Sequence, residues 1–391
     1  MASPSHTDFR LDPDDVESCL ARARQRAAGE DLGPIVERAR TGNGLGVDDL
    51  ALLWSAPQLD SEALYDLALA ARRARPVRLE TFSPLYMTNT CDAECRMCGM
   101  RRDNDALRRE TVDLDTVDGQ LRVLRGRGMH AVALLTGEYR PDKRGWALEL
   151  VNQALRRTQA LGFRHVLVNV GSIDPEEFAP LLDGLPRDAH GGLRAKVTMC
   201  TFQETYARPV YRKFMGADAE NPRADYDRRL ANFDRAHRAG MRVANPGILV
   251  GLNPDLGFEL IALARHARHL VGRGMEVYLS VPRLRQIAGS PVQRGADDAS
   301  FVRLVSALSI ALPDCKIVLT TREPAHIQRR LVPIVTVLSA GSASVAPYTD
   351  DGARFPLETS QFEVIDQRPF EQVLAEHRGT AGIENFDPPA A

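Results

Sequence analysis

The strongest constraint on what this chain can fold into is a rhythm. From residue 79 onward, apolar strand-like runs alternate with helical segments eight times. The runs are Phe82 to Met87, His130 to Leu135, His165 to Val170, Ala195 to Phe202, Val243 to Val250, residues 276–282, residues 316–321 and Ile334 to Ser339. Between them apolar residues recur at helical spacing, as at Val117, Leu121 and Leu124 or Tyr226, Leu230 and Phe233 in a predicted helix over 224–238. Gly126 or Gly128, Gly162 and Gly240 stand where such helices stop. Strands apolar along their length and separated by helices build a parallel sheet, and eight units close a barrel. The expected class is α/β, a (β/α)8 TIM-type barrel. Pro246-Gly247 interrupts the fifth run and predicts an irregular strand there.

A chain of 391 residues with 44% apolar content buries a core of that size with room for extensions. The barrel is expected over 79–345. An N-terminal helical extension, 1–78, precedes it and reads as solvated, because its many arginines are balanced by acids. A C-terminal segment, 346–391, is irregular apart from a helix from Pro369 to His377; it is expected to pack on or close the barrel, with a frayed end from Asp387. Net charge is −2, which favours neither nucleic acid nor an anionic membrane as partner. The N-terminus is polar and acidic rather than signal-like, and no apolar run approaches membrane-spanning length. The expected location is the cytoplasm.

Three of the six cysteines crowd into eight residues just after the first strand: Cys91, Cys95 and Cys98. Cytosolic cysteines so closely spaced bind metal or do chemistry more often than they pair as disulfides. The spacing C-x3-C-x2-C supplies three thiolates, one fewer than a closed four-ligand site. A cubane cluster held this way keeps one iron open for another ligand. The competing reading is a zinc knuckle completed by a distant histidine, yet no histidine lies within 30 residues downstream of Cys98. Cys200 and Cys315 fall in apolar runs and read as core.

Parallel barrels carry their chemistry at the C-terminal ends of the strands. The polar residues there are Thr136-Gly137-Glu138, Asn169, Gln203-Glu204 and Arg322 in Thr320-Thr-Arg-Glu-Pro324. The Arg322 fork suits a carboxylate in two parallel hydrogen bonds; its competing roles are a pair with Glu323 or a helix cap. Ser339 ends the last strand and Tyr86 the first.

The triad resembles that of the radical S-adenosylmethionine (SAM) enzymes, although Met97 stands where an aromatic residue is common. In that family the open iron chelates the amino and carboxylate groups of SAM. The resemblance implies one [4Fe–4S] cluster on Cys91, Cys95 and Cys98. It implies SAM contacts from Gly137 and Glu138 at the amine, from Asn169, and from Gln203 and Glu204 near the ribose. Arg229 would meet the carboxylate, with Arg228 beside it as the competitor and one of the pair a surface charge, and Gly247 and Leu249 would lie beside the adenine.

Pro84-Leu-Tyr-Met-Thr-Asn89, Thr198-Met-Cys-Thr-Phe-Gln-Glu-Thr-Tyr206, Leu279-Ser-Val-Pro-Arg-Leu-Arg285, Leu319-Thr-Thr-Arg-Glu-Pro324 and Ser360-Gln-Phe362 carry a narrower likeness. The chain resembles the aromatic amino acid lyases of the radical SAM class, most of all the tryptophan-acting 3-methyl-2-indolic acid synthases of thiopeptide pathways, which are similar at Met97. That resemblance implies L-tryptophan as substrate, with its carboxylate on Arg322 and its amine near Tyr86 and Ser339. It also implies a reductant such as flavodoxin or ferredoxin. The alternatives are a tyrosine Cα–Cβ lyase giving p-cresol and dehydroglycine, and a non-catalytic iron–sulfur or zinc protein. The absence of cysteine after Cys315 speaks against the tyrosine lyases that carry a second cluster. Thr90 occupies a position before the first cysteine where an aromatic wall residue is expected.

Overall fold

The computed structural model of the chain describes residues 7–189, 192–290 and 295–388. Four helices come first: α1 (Pro13–Ala27), α2 (Gly33–Arg40), α3 (Val47–Ser55) and α4 (Ser61–Ala74). Eight strands follow: β1 (Glu80–Tyr86), β2 (Ala131–Leu135), β3 (His165–Asn169), β4 (Lys196–Glu204), β5 (Val243–Ile248), β6 (Glu276–Ser280), β7 (Lys316–Thr320) and β8 (Val337–Ser339). The helices between them are α5 (Leu114–Gly126), α6 (Pro141–Ala160), α7 (Phe178–Leu182), α8 (Arg208–Met215), α9 (Tyr226–Leu230), α10 (Asn232–Arg238), α11 (Leu256–Gly272), α12 (Asp298–Ala311) and α13 (Ala325–Leu331); α14 (Phe370–His377) comes last.

All eight strands pair in parallel and in chain order, and β8 returns to β1 through Glu80 opposite Val337, closing the barrel. The strands are largely buried on both faces, as a barrel core requires: every residue of β2 is buried. Aspartates start several helices by accepting backbone N–H groups, Asp113 from Thr116 and Asp255 from Phe258 among them. Gly128, at φ +88°, ends α5 in a conformation that a side chain would oppose. In β5 the register to β6 runs through Ala244 and resumes only at Gly247, the irregularity expected at Pro246-Gly247.

Three expectations need correction. The helix expected over 224–238 is two, parted at Ala231, because Asn232 turns inward to accept from the Ile173 N–H and donate to Thr201. The N-terminal helices are not solvated. Leu50, Leu52, Leu53 and Leu64 are buried, since α4 packs on α12 and α1 and α3 pack on α11. Asp387 is not frayed: its backbone bonds Gly128, and its carboxylate meets His130 and Arg164. Residues 389–391 lie outside the described residues. Among the described residues no helix is long and apolar enough to cross a membrane.

The N-terminal layer also sets an acid limit. His266 of α11 lies under Phe9, ring centroids 4.4 Å apart, and its Nδ1 meets the Tyr206 hydroxyl at 2.8 Å. Burial holds it neutral, its pKa pushed down to about 3, with only Asp234 opposing. The native state therefore binds fewer protons there than the unfolded chain, so stability is fully present above about pH 6.5 and falls on acidification, by at most about 1.4 kcal/mol per pH unit. Urea unfolding at pH 7 and pH 5 is expected to show a smaller loss in His266→Gln than in the wild type; equal losses would count against it.

Candidate active site

The cavity opens at the C-terminal ends of the strands, and its empty space, counted out into its mouth, is about 1520 Å3. That is room for more than one small molecule. Cys91, Cys95 and Cys98 all face it from the long loop between β1 and α5. The loop is held from several sides. The Asp92 N–H donates to the Glu138 carbonyl at 2.9 Å, and Arg96 N–H to Phe214 at 2.9 Å. Gly137 is dictated by this packing, because a Cβ there would fall 2.0 Å from the Thr90 carbonyl oxygen.

Donors point at the sulfurs. Backbone N–H groups of Glu138 (3.3 Å) and Ala93 (3.4 Å) reach Cys91 Sγ, and the Gln361 amide reaches Cys98 Sγ at 3.4 Å. Burial pushes the Cys91 thiol up to about 12 and raises Cys95 and Cys98 as well. Iron must therefore displace protons, after which those N–H groups stabilise thiolate sulfur. Among the described residues no three His, Cys, Asp or Glu side chains converge on a single ion. Cubane irons each take one thiolate, so three converging sulfurs are not required. The donor set fits the cluster.

The expected SAM residues divide. Glu138, Asn169, Glu204, Arg229 and Leu249 line the cavity with Gly137. Glu138 and Arg229, expected at opposite ends of the SAM amino acid group, are bonded to each other at 2.9 Å. Glu138 also accepts the Ser172 N–H at 2.9 Å, and Gly171, at φ +80°, leaves space that a Cβ would take from this carboxylate. Glu204 is paired with Arg223 at 2.9 Å. Gln203 is a correction: it does not line the cavity, because strand alternation turns Phe202 and Glu204 inward and Gln203 outward. Gly247 does not line it either. Its missing side chain makes way for the Phe202 ring, which a Cβ would meet at 2.8 Å. Arg228 is no surface charge; half-buried, it binds Asp174 at 2.8 Å and the Ser172 carbonyl. Thr90 turns away from the cavity, its hydroxyl 3.0 Å from that of Tyr139.

Arg322, Tyr86 and Ser339 line the same cavity. Neither competing role for Arg322 holds. Glu323 is taken by Arg283 and by Arg285 at 2.8 Å, and Pro324 stands at the N-cap of α13. The Arg322 guanidinium lies 3.1 Å from the centroid of the Phe362 ring. Protein surrounds it, yet it keeps accessible surface because its open side faces the cavity. Burial lowers it to about 10, so it stays charged at neutral pH. The other cavity arginines, Arg101, Arg223, Arg229 and Arg285, each have a carboxylate partner. Among the described residues Arg322 has none. The sequence assigned no role to Gln361, Phe362, Arg223 or Arg285; the signals were the Ser360-Gln-Phe362 string and the string that ends at Arg285, while Arg223 lies in a loop without periodicity.

A closed parallel barrel with a three-cysteine loop at its C-terminal mouth defines a radical SAM enzyme, using one [4Fe–4S] cluster and SAM. The relatives agree. Residues 280–379 match the model of the Biotin and Thiamin Synthesis associated domain. The chain is 27% identical to the 2-iminoacetate synthase of Escherichia coli K12, covering 87% of this chain and 86% of that one. The structure of HydG, a maturase of the [FeFe]-hydrogenase, superposes with a TM-score of 0.76 at 26% identity over 93% of this chain and 78% of that one. Methylornithine synthase (PylB), at 18% identity and a TM-score of 0.67 over 90% of this chain and 97% of that one, shares the fold. The chain is an enzyme of this radical SAM kind, similar along most of its length to a 2-iminoacetate synthase and to HydG.

Proposed function

We propose that the enzyme converts L-tryptophan to 3-methylindole-2-carboxylate. The observation that carries the proposal is Arg322, a charged guanidinium facing the cavity without a carboxylate partner among the described residues. An α-amino acid carboxylate completes it in a bidentate pair. Tyr86 and Ser339 in the same cavity hold the amine, and Phe82, Leu135, Leu167, Val318, Phe362 and Val364 give the ring an apolar bed. When bound, the cluster and SAM would supply a 5′-deoxyadenosyl radical for hydrogen abstraction at the substrate amine; the carboxyl carbon would then move to indole C2 while Cα and the amine nitrogen leave together as a one-carbon imine. The chain's own task is positional: fix the amine rather than Cα or Cβ toward the radical carbon, and keep water out. SAM itself is assigned to Gly137, Glu138, Asn169, Glu204, Arg229 and Leu249. A cytoplasmic one-electron donor such as flavodoxin or ferredoxin serves as reductant.

Choice of tryptophan rests on the sequence likeness around Tyr86, Met97 and Arg322. Tyrosine Cα–Cβ cleavage is the second reading, favoured by the likeness to a 2-iminoacetate synthase. The test is anaerobic. The cluster is reconstituted, SAM and dithionite are added, and each amino acid is supplied separately while 5′-deoxyadenosine and aromatic products are followed by mass spectrometry. Tryptophan-dependent 3-methylindole-2-carboxylate is expected. p-Cresol from tyrosine with no indole product would replace the proposal by the second reading.

A further inference from the structure

Gln361 stands between the substrate wall and the cluster loop. Its carbonyl Oε1 accepts the Tyr86 phenol proton at 2.6 Å, while its amide Nε2 lies 3.4 Å from Cys98 Sγ. The residue is locked in place by its backbone. The Gln361 carbonyl accepts the Gly99 N–H at 2.9 Å, and the Gln361 N–H donates to Ala343 at 3.2 Å. A Cβ on Gly99 would lie 2.8 Å from that carbonyl oxygen, so the cysteine loop and this segment touch backbone to backbone. Two residues upstream, the Thr359 carbonyl accepts from the Asn89 amide, and Glu358 accepts the Arg108 N–H.

Chemistry decides which way the amide faces. A cluster-bound sulfur has no proton to give and only accepts, so the NH2 must point at Cys98. The carbonyl then faces Tyr86, and the phenol must donate to it. With its only proton committed, Tyr86 presents lone pairs to the cavity, the right partner for the N–H groups of an amine. A phenol free to rotate would offer either a donor or an acceptor.

We propose that Gln361 is a positioning residue with two hands: it fixes Tyr86 as an acceptor for the substrate amine and donates a hydrogen bond to the Cys98 ligand of the cluster. The first hand rests on the amino acid binding at Arg322 and Tyr86; the second does not depend on the substrate. Hydrogen bonds to cluster sulfur raise its reduction potential, so Gln361 eases reduction of the cluster from the same place where it orients the amine acceptor.

The test uses cluster-loaded full-length enzyme and the variants Gln361→Met, Gln361→Glu and Tyr86→Phe. The midpoint potential and the electron paramagnetic resonance spectrum of the reduced cluster are measured without amino acid. Amino acid affinity is measured separately, with SAM present. Q361M is expected to lower the potential and weaken tryptophan about fivefold, the worth of one hydrogen bond. Q361E keeps an acceptor for Tyr86, so the potential falls while affinity stays near wild type. Y86F weakens affinity and leaves the potential unchanged. A wild-type potential in Q361M would overturn the hand on Cys98; wild-type affinity there would overturn the hand on Tyr86. If Q361M does not load a cluster, the isosteric Q361E carries the potential measurement. If wild-type enzyme binds no tryptophan but Q361M still shifts the potential, the substrate reading fails and the cluster half stands.

Discussion

Replacing Cys95 by alanine abolishes cluster binding and SAM cleavage together. Cys95 is 2% exposed and sits in the middle of the triad, so no solvent ligand can take its place without opening the loop. Two thiolates remain, from Cys91 and Cys98, for a cluster that needs three, and neither a histidine nor another cysteine of the loop faces the cavity as a substitute. Iron and sulfide analysis after anaerobic reconstitution is expected to show an essentially empty protein, with no 5′-deoxyadenosine from SAM and dithionite. The fold survives, because the loop is tied by backbone hydrogen bonds at Asp92, Arg96 and Arg102 that need no thiol. Cys315→Ala is the matched control: it removes a buried core thiol far from the mouth of the barrel and leaves iron content unchanged. Deoxyadenosine from C95A at the wild-type rate would sink the cluster assignment.

Arg322→Lys is the second large effect. A point charge cannot copy a planar fork, so one of two charge-assisted hydrogen bonds to the carboxylate is lost, and tryptophan affinity is expected to fall by about ten- to a hundredfold. Uncoupled SAM cleavage survives in part, because the cysteines and the Glu138–Arg229 pair are untouched. The environment adds a pH signature. Burial and the nearby Arg285 bring Arg322 from 12.5 down to about 10. The same wall would also lower a lysine, which starts from about 10.4. The charged form is the binding form, so R322K is expected to lose further affinity at a lower pH than the wild type does. Isothermal titration of tryptophan between pH 7 and pH 9 distinguishes the two proteins. Equal affinity at pH 7 would remove Arg322 from the substrate site.

Much of this was legible in the chain. The eight strands start and stop within a few residues of the apolar runs, because a strand buried on both faces is largely apolar: β2 is so throughout, and β3 is at Val166, Leu167 and Val168. The place of Arg322 at the cavity was legible too, because the segment that follows a strand in a parallel barrel lies at the C-terminal mouth. The short helices α7 and α8 were missed, since five and eight residues give little periodicity to read. The solvated reading of residues 1–78 failed because arginine content says nothing about the apolar faces of α3 and α4, which found α11 and α12 to cover.

Local pattern determined the barrel, the three-thiolate loop and the cationic residue at the mouth of β7, since each depends on neighbours within a few positions. Only tertiary structure decided that Glu138 grips Arg229, that Gln203 faces outward while Glu204 faces in, and that Gln361 joins Tyr86 to Cys98. Those last partners are 275 and 263 residues apart in the chain. No periodicity spans such a distance; the closed barrel brings them together by returning β8 to β1 and laying the C-terminal segment across the cysteine loop.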